Sequence, residues 1–216
     1  KVDIMKILLK VVPYLLMATI LFAFTVLGFF LYLSYQSLPN YNKNLFSNDI
    51  KSKVFIKTDL YAIPHIKGDN DKETFFGLGY AHAQERLWQM NFLKRLSQGR
   101  LSEISGPKTI LLDSFMKSLD LQKLANDIFQ NLPADLKQNL SFYSHGINLR
   151  LKEIQEQGLG RGSPEFFFNS PEVTPWSPID SLVIFKLIEF MSSNKALAEI
   201  ELTTLLFSNI NENKLD

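Results

Sequence analysis

The chain has 216 residues, with 23 Lys and Arg against 22 Asp and Glu for a net charge of +1. That balance, with lysines scattered along the chain, argues against a nucleic-acid partner, which would call for a basic surplus or stripe. The 46% hydrophobic content suffices for a core, and the absence of cysteine excludes disulfides, thiolate metal sites and a cysteine nucleophile within this chain.

The chain opens on Lys1 and closes on a polar stretch from Ser208 to Asp216, and reads as a fragment of a longer reading frame. Residues 1–10 carry Lys1, Lys6 and Lys10 opposed only by Asp3, and residues 11–35 carry no charge. A helix crossing the hydrocarbon core needs about 20 apolar residues, and Tyr14, Tyr32 and Tyr35 lie where aromatic rings favour the interface. The positive-inside rule then predicts a cytoplasmic segment at 1–10, a transmembrane signal anchor at 11–35 and an exported remainder. In a bacterial cell that means an inner-membrane protein with its bulk on the periplasmic side. A cleavable signal peptide has an apolar core of about 7–15 residues and a small-x-small cleavage site, and residues 31–35 offer no such match.

Residues 36–49, with Pro39 and several asparagines, read as a linker, and 50–216 as one further region. Val54–Ile56 predicts a short strand, Thr58-Asp59 a turn, and Leu60–Ile66 a returning strand with Pro64 at an edge. Asn70 followed by Glu73 is a helix start, and Phe76, Tyr80, Ala83, Leu87, Met90 and Leu93 follow as one apolar stripe. Gly79 and Ala83 keep that stripe thin enough for close approach of another element, and Gly99 ends or bends the helix. A shorter helix is expected over Ser118–Phe129, and a longer one from Pro133 to a stop at Gly158. Residues 158–178 read as loop. Ser177-Pro178-Ile179-Asp180 opens a helix to about Ser192, and another covers Leu197–Phe207.

The chain holds no G-x-S-x-G elbow, H-E-x-x-H, P-loop or G-x-G-x-x-G. His65, His82 and His145 are far apart in sequence and read as structural hydrogen-bonders. Glu85, Arg86, Arg95, Arg100 and Glu103 read as a structural ion-pair network.

A set of motifs in fixed order does stand out. It begins with Asp59-Leu60-Tyr61-Ala62-Ile63-Pro64-His65-Ile66 and continues with Gly77-Leu78-Gly79-Tyr80-Ala81-His82-Ala83-Gln84-Glu85-Arg86-Leu87-Trp88-Gln89-Met90. Then come Gly99-Arg100-Leu101-Ser102-Glu103-Ile104-Ser105-Gly106, Tyr143-Ser144-His145-Gly146-Ile147-Asn148, Gly162-Ser163-Pro164-Glu165-Phe166 and Trp176-Ser177-Pro178-Ile179-Asp180. In this order they resemble the α chain of the penicillin acylase (penicillin amidase) family. Gly is usual in that family where Ala62 stands, Asp where Glu85 stands, and Leu-Pro where Gly162-Ser163 stands.

The resemblance implies an N-terminal nucleophile hydrolase with an αββα sandwich. This region would supply its mostly helical α+β part, with a short hairpin and one N-terminal transmembrane helix. The implied reaction is hydrolysis of an N-acyl amide, such as a penicillin or an acyl-homoserine lactone, through an acyl-enzyme. The nucleophile is the N-terminal Ser of a β chain cut from the same precursor, with its own α-amine as base. No catalytic residue is then expected in this chain, and the chain alone is expected to be inactive. Its contribution would be the acyl pocket, for which the matched positions are Glu189 and Ser193 with Ser192 beside them; a shifted register would present Phe190 or Met191 instead. Large apolar or aromatic groups are usual there in phenylacetyl-binding members, so Glu189 and Ser193 speak against a phenylacetyl group. Glu199 matches an acidic ligand of a calcium site completed by the β chain, since calcium takes six or more oxygens. No organic cofactor is implied. The other reading of the same residues is a non-catalytic, single-pass, membrane-anchored helical interaction module.

Overall fold

The structure is a computed structural model that describes residues 4–156, 162–163, 165–168 and 173–193. The helix expected over Leu197–Phe207, the stop at Gly158 and the candidate ligand Glu199 lie outside the described residues.

Helix α1 (Ile4–Ser37) contains the run Lys10–Tyr35, with mean hydropathy 2.3 and none of its most apolar window buried by the rest of the chain. It is long and apolar enough to cross a membrane, as a signal sequence also can be. Its serine and threonine hydroxyls bond within the helix. The hydroxyls of Thr19, Thr25, Ser34 and Ser37 each donate to a carbonyl about one turn earlier, at 2.8–2.9 Å.

The hairpin pairs β1 (Phe55–Thr58) with β2 (Pro64–Lys67), antiparallel, with Phe55 opposite Lys67 and Thr58 opposite Pro64. Leu60–Ile63, expected within the returning strand, instead form the turn. The cause is Asp59. One carboxylate oxygen accepts the backbone N–H groups of Tyr61 (2.9 Å) and Ile63 (3.0 Å), and the other lies 2.9 Å from His65 Nε2. The His65 hydrogen bond, followed by that of the Ile63 N–H, holds the Asp59 carboxyl below the usual range. This turn puts Ala62 at φ +60°, in the left-handed region that costs a residue with a β-carbon about 1–2 kcal/mol. Ala62→Gly relieves that cost and loses part of the gain to unfolded-state entropy. A net stabilisation of up to about 1 kcal/mol is expected as an upward shift in urea midpoint; an unchanged or lower midpoint would refute it.

Helix α2 (Asp71–Ser97) starts as expected, with the Asn70 side chain accepting the N–H groups of Lys72 and Glu73. The helix kinks at Arg86 (φ −136°, ψ 21°), where neither Gly nor Pro lies. Gly99, at φ +62°, follows its C-terminus. Phe76, Tyr80, Ala83 and Leu87 are all buried, confirming the stripe.

Across that stripe lies α6 (Ala134–Glu156), which begins just after Pro133. The two helices meet through glycines: a β-carbon on Gly79 would sit 1.9 Å from the Tyr143 carbonyl oxygen, and one on Gly146 1.9 Å from that of Phe76. Ala83, Leu87, Ile147, Leu151, Phe166 and Trp176 form the adjoining core.

Beyond α2 come the short α3 (Ser102–Ser105) and a 3-10 turn at Pro107–Thr109. Asp113 fixes the entry to α3 by accepting the N–H groups of Leu101 and Ser102, both at 2.8 Å. Glu103 pairs with Arg95 and, at 2.7 Å, with Arg100, so the core of the expected ion-pair network exists. Glu85 stands outside it, accepting the Tyr41 hydroxyl at 2.8 Å, and Arg86 sits at the kink. The single helix expected over Ser118–Phe129 is two: α4 (Ile110–Leu119) and α5 (Leu121–Asn131). Asp120 separates them in a left-handed conformation (φ 47°, ψ 44°) and caps α5 by accepting the Lys123 N–H. The expected 158–178 loop contains the short α7 (Glu165–Phe168) ahead of α8 (Pro178–Ser192). A second core of Met116, Leu121, Ala125, Val183 and Leu187 packs α4, α5 and α8 together. Burial of each large apolar side chain contributes about 1.5–3 kcal/mol.

Candidate functional site

Two of the motifs, Tyr143–Asn148 and Trp176–Asp180, meet at the start of α8. Its first turn is a capping box, in which Ser177 Oγ accepts the Asp180 N–H and Asp180 Oδ2 accepts the Ser177 N–H at 2.7 Å. The same carboxylate lies 2.9 Å from Lys94 Nζ of α2, and both side chains are more than nine-tenths buried. Lys94 Nζ also donates to the Pro175 carbonyl at 3.1 Å and lies 5.3 Å from the centre of the Trp176 ring. Asn148 of α6 completes the grip by donating to the Trp176 carbonyl (2.9 Å) and accepting its N–H (2.7 Å). Lys94, Asn148, Trp176 and Asp180 therefore fix α8 against α2 and α6.

With Val183 and Leu187 turned into the core, the far end of α8 presents the residues read as an acyl wall. Glu189, Ser192 and Ser193 fall within its last turn, and all are exposed. The Glu189 carboxylate pairs with Lys186, and Ser193 Oγ donates to the Phe190 carbonyl at 2.7 Å. Phe190 itself is half-buried, its ring 6.2 Å from that of Phe115 on α4, while Met191 is exposed. The Phe115–Phe190 contact ties α4 to this end of α8; exposed apolar groups are Phe185 and Ile188 on α8, and Ile110, Leu111, Leu112 and Phe115 on α4. The sequence reading missed α4 itself, although Ile110, Leu111, Phe115, Met116 and Leu119 recur at helical spacing. This end of the fold can line an apolar chain and add one carboxylate and two hydroxyls.

The histidines sit apart in space as well. His65 bonds Asp59, His82 Nδ1 lies 2.9 Å from the Tyr143 hydroxyl, and His145 Nδ1 is 3.6 Å from Asp49. Among the described residues no three His, Asp or Glu gather where a metal could be held, so they offer no ligand set for calcium.

A separate cleft of about 600 Å³ lies between the 40–56 segment and the first half of α2. None of the acyl-wall candidates lines it. At its edge Lys43 pairs with Glu153, whose other oxygen accepts from the Tyr80 hydroxyl and Arg150, each at 2.8 Å. Two cations thus share one carboxylate, and burial together with the Arg150 charge lowers the Lys43 ammonium to about 8.

Residues 53–216 match the penicillin amidase family. The chain is 30% identical over 151 residues to acyl-homoserine lactone acylase QuiP of Pseudomonas fluorescens (strain Pf0-1), an alignment covering 70% of this chain and 18% of that protein. It is 29% identical over 153 residues to penicillin acylase 2 proenzyme of Pseudomonas sp. (strain SE83), covering 69% of this chain and 19% of that protein. The chain thus spans about a fifth of the length of these curated relatives. Thermostable penicillin G acylase from Alcaligenes faecalis superposes with a TM-score of 0.63 at 22% identity, over 72% of this chain and 80% of that chain, which establishes a shared fold.

Proposed function

Because this chain belongs to the penicillin amidase family, we propose that it forms the α-chain part of an amidohydrolase that cleaves N-acyl amides. The observation that carries the reading is the seat in which Lys94 and the motif residues Asn148, Trp176 and Asp180 fix α8, the helix whose last turn carries Glu189 and Ser192. The attacking hydroxyl comes from a second chain of the same precursor, the N-terminal Ser of the β chain. The exposed apolar faces of α4 and α8 are what that chain covers. Glu199, outside the described residues, is the candidate for one ligand of a calcium site completed by the β chain.

Helix α1 anchors the assembly in the inner membrane with the body on the periplasmic side. Retention in the detergent-soluble membrane fraction tests that assignment; release by an alkaline wash would sink it.

The substrate follows from the α8 wall and from the relatives, which are named for acyl-homoserine lactones and for penicillin. A carboxylate and two hydroxyls suit an acyl chain with a polar group better than a phenylacetyl ring. The test is amine release by the full-length protein from N-acyl-homoserine lactones, with and without a 3-oxo or 3-hydroxy group, and from penicillin G. Glu189→Leu is expected to shift kcat/KM toward unsubstituted chains by about tenfold, the range one pocket contact supplies. No amine release from any of these by the full-length protein defeats the amidase reading. Release with unchanged preference in Glu189→Leu defeats only the wall assignment.

A further inference from the structure

The cleft beside α2 belongs neither to the α8 wall nor to the core, and its lining has a definite chemistry. Ile56, Phe76, Leu149 and the ring of Tyr80 give it apolar walls. Its lining residues include Lys51 and Lys53, both exposed, and no Asp or Glu. Among the described residues neither lysine has an ion-pair partner. The carboxylates that contact lining residues are already engaged: Glu85 with Tyr41, Asp49 with Ser47 and His145, and Glu153 with Lys43 and Arg150. Lys43 thus shares one carboxylate with Arg150, while Lys51 and Lys53 have none among the described residues.

A polar group also faces the cleft. Gln84 lines it, and among the described residues its side chain makes no hydrogen bond, which leaves the amide open to a ligand. A cavity of this size falls in the range that small organic ligands occupy.

We propose that this cleft binds an amphiphilic anion, a singly charged head on an acyl chain, with the head between Lys51 and Lys53 and the chain along Phe76, Tyr80 and Leu149 beneath the Gln84 amide. Two sources carry that chemistry: a free long-chain carboxylate, and an anionic phospholipid of a bilayer reached through α1. The inference does not rest on the amidase reading.

The full-length protein in phosphatidylcholine nanodiscs is irradiated with a diazirine-bearing fatty acid, and the labelled peptides are mapped. Labelling is expected on residues 40–56 or on the first half of α2, with competition by oleate and not by its methyl ester. Lys51→Glu combined with Lys53→Glu is expected to cut labelling at least tenfold with an unchanged melt, since both side chains are exposed; Gln84→Leu is expected to weaken it less. Repeating the labelling in phosphatidylglycerol nanodiscs separates the sources. Loss of label there identifies the phospholipid as occupant, and persistence identifies the free carboxylate. Label confined to other segments, competition by the methyl ester equal to that by oleate, or full labelling of the double lysine variant overturns the proposal.

Discussion

Gly146→Ala is expected to destabilise the fold by about 3 kcal/mol, the upper range for forced overpacking. In an exposed helix the same change would gain about 1 kcal/mol of helix propensity, so the sign is decided by what the new methyl meets. At 146 it meets the Phe76 carbonyl oxygen at 1.9 Å and the Tyr80 nitrogen at 2.8 Å, which are backbone atoms of a packed helix and cannot rotate away. Helices α2 and α6 must then separate, and the cluster of Ala83, Leu87, Ile147 and Leu151 between them loses contact. Gly79 makes the reciprocal approach to Tyr143. Either substitution opens the same crossing, so the double variant is expected to cost clearly less than the sum of the two. Gly106→Ala is the control: φ is +76° and ψ −172° there, a region essentially reserved for Gly, but nothing lies within 4 Å of the added carbon, so only the backbone cost of about 1–3 kcal/mol applies. Urea denaturation of the full-length protein decides the matter. A Gly146→Ala protein as stable as the parent would show that the crossing is loose.

The parts legible in the sequence were those with a local chemical signature. Asn70 and the Ser177-Pro178-Ile179-Asp180 tetrapeptide mark helix starts because a short polar side chain satisfies N–H groups that a helix leaves open. The α2 stripe was legible from its period, and the thinness at Gly79 correctly foretold a close neighbour. Helix α4 was missed because it grows out of a 3-10 turn and Thr109 makes no side-chain cap. Its separation from α5 depends on Asp120 adopting a left-handed conformation in which Gly is the usual residue. The Leu60–Ile63 turn was read as strand because β-prone residues fill it, while the Asp59 carboxylate that bends it acts through three contacts no spacing rule reveals. Residues 36–49 read as a spacer from their composition. In the fold Tyr41 reaches Glu85, Lys43 reaches Glu153 and Asp49 approaches His145, contacts between residues distant in sequence. The candidates Glu189, Ser192 and Ser193 rest on motif likeness alone; what seats their helix, the Lys94 and Asn148 contacts with the approach to α8, is purely tertiary.

That seat carries the second large expected effect. Asp180→Ala should cost about 3–5 kcal/mol, because it strands the Lys94 ammonium in a site only 9% exposed. It also removes the acceptor for the Ser177 N–H at 2.7 Å and for the Gln98 amide at 3.1 Å. Lys94→Met should be milder: Asp180 keeps the Ser177 and Gln98 bonds, and methionine fills the channel beside Trp176 without a charge to solvate. The double variant Lys94→Met/Asp180→Ala is then expected to be more stable than Asp180→Ala alone, since no unpaired charge is left inside. Under the proposed function the same order should appear in acyl binding by the full-length enzyme, because α8 carries Glu189, Ser192 and Ser193 on the end opposite this anchor. KM for the acyl substrate should rise most in Asp180→Ala and partly recover in the double variant. Strictly additive stabilities across the cycle would mean that the buried charge pair is not what holds α8, and the grip would pass to the Asn148–Trp176 bonds alone.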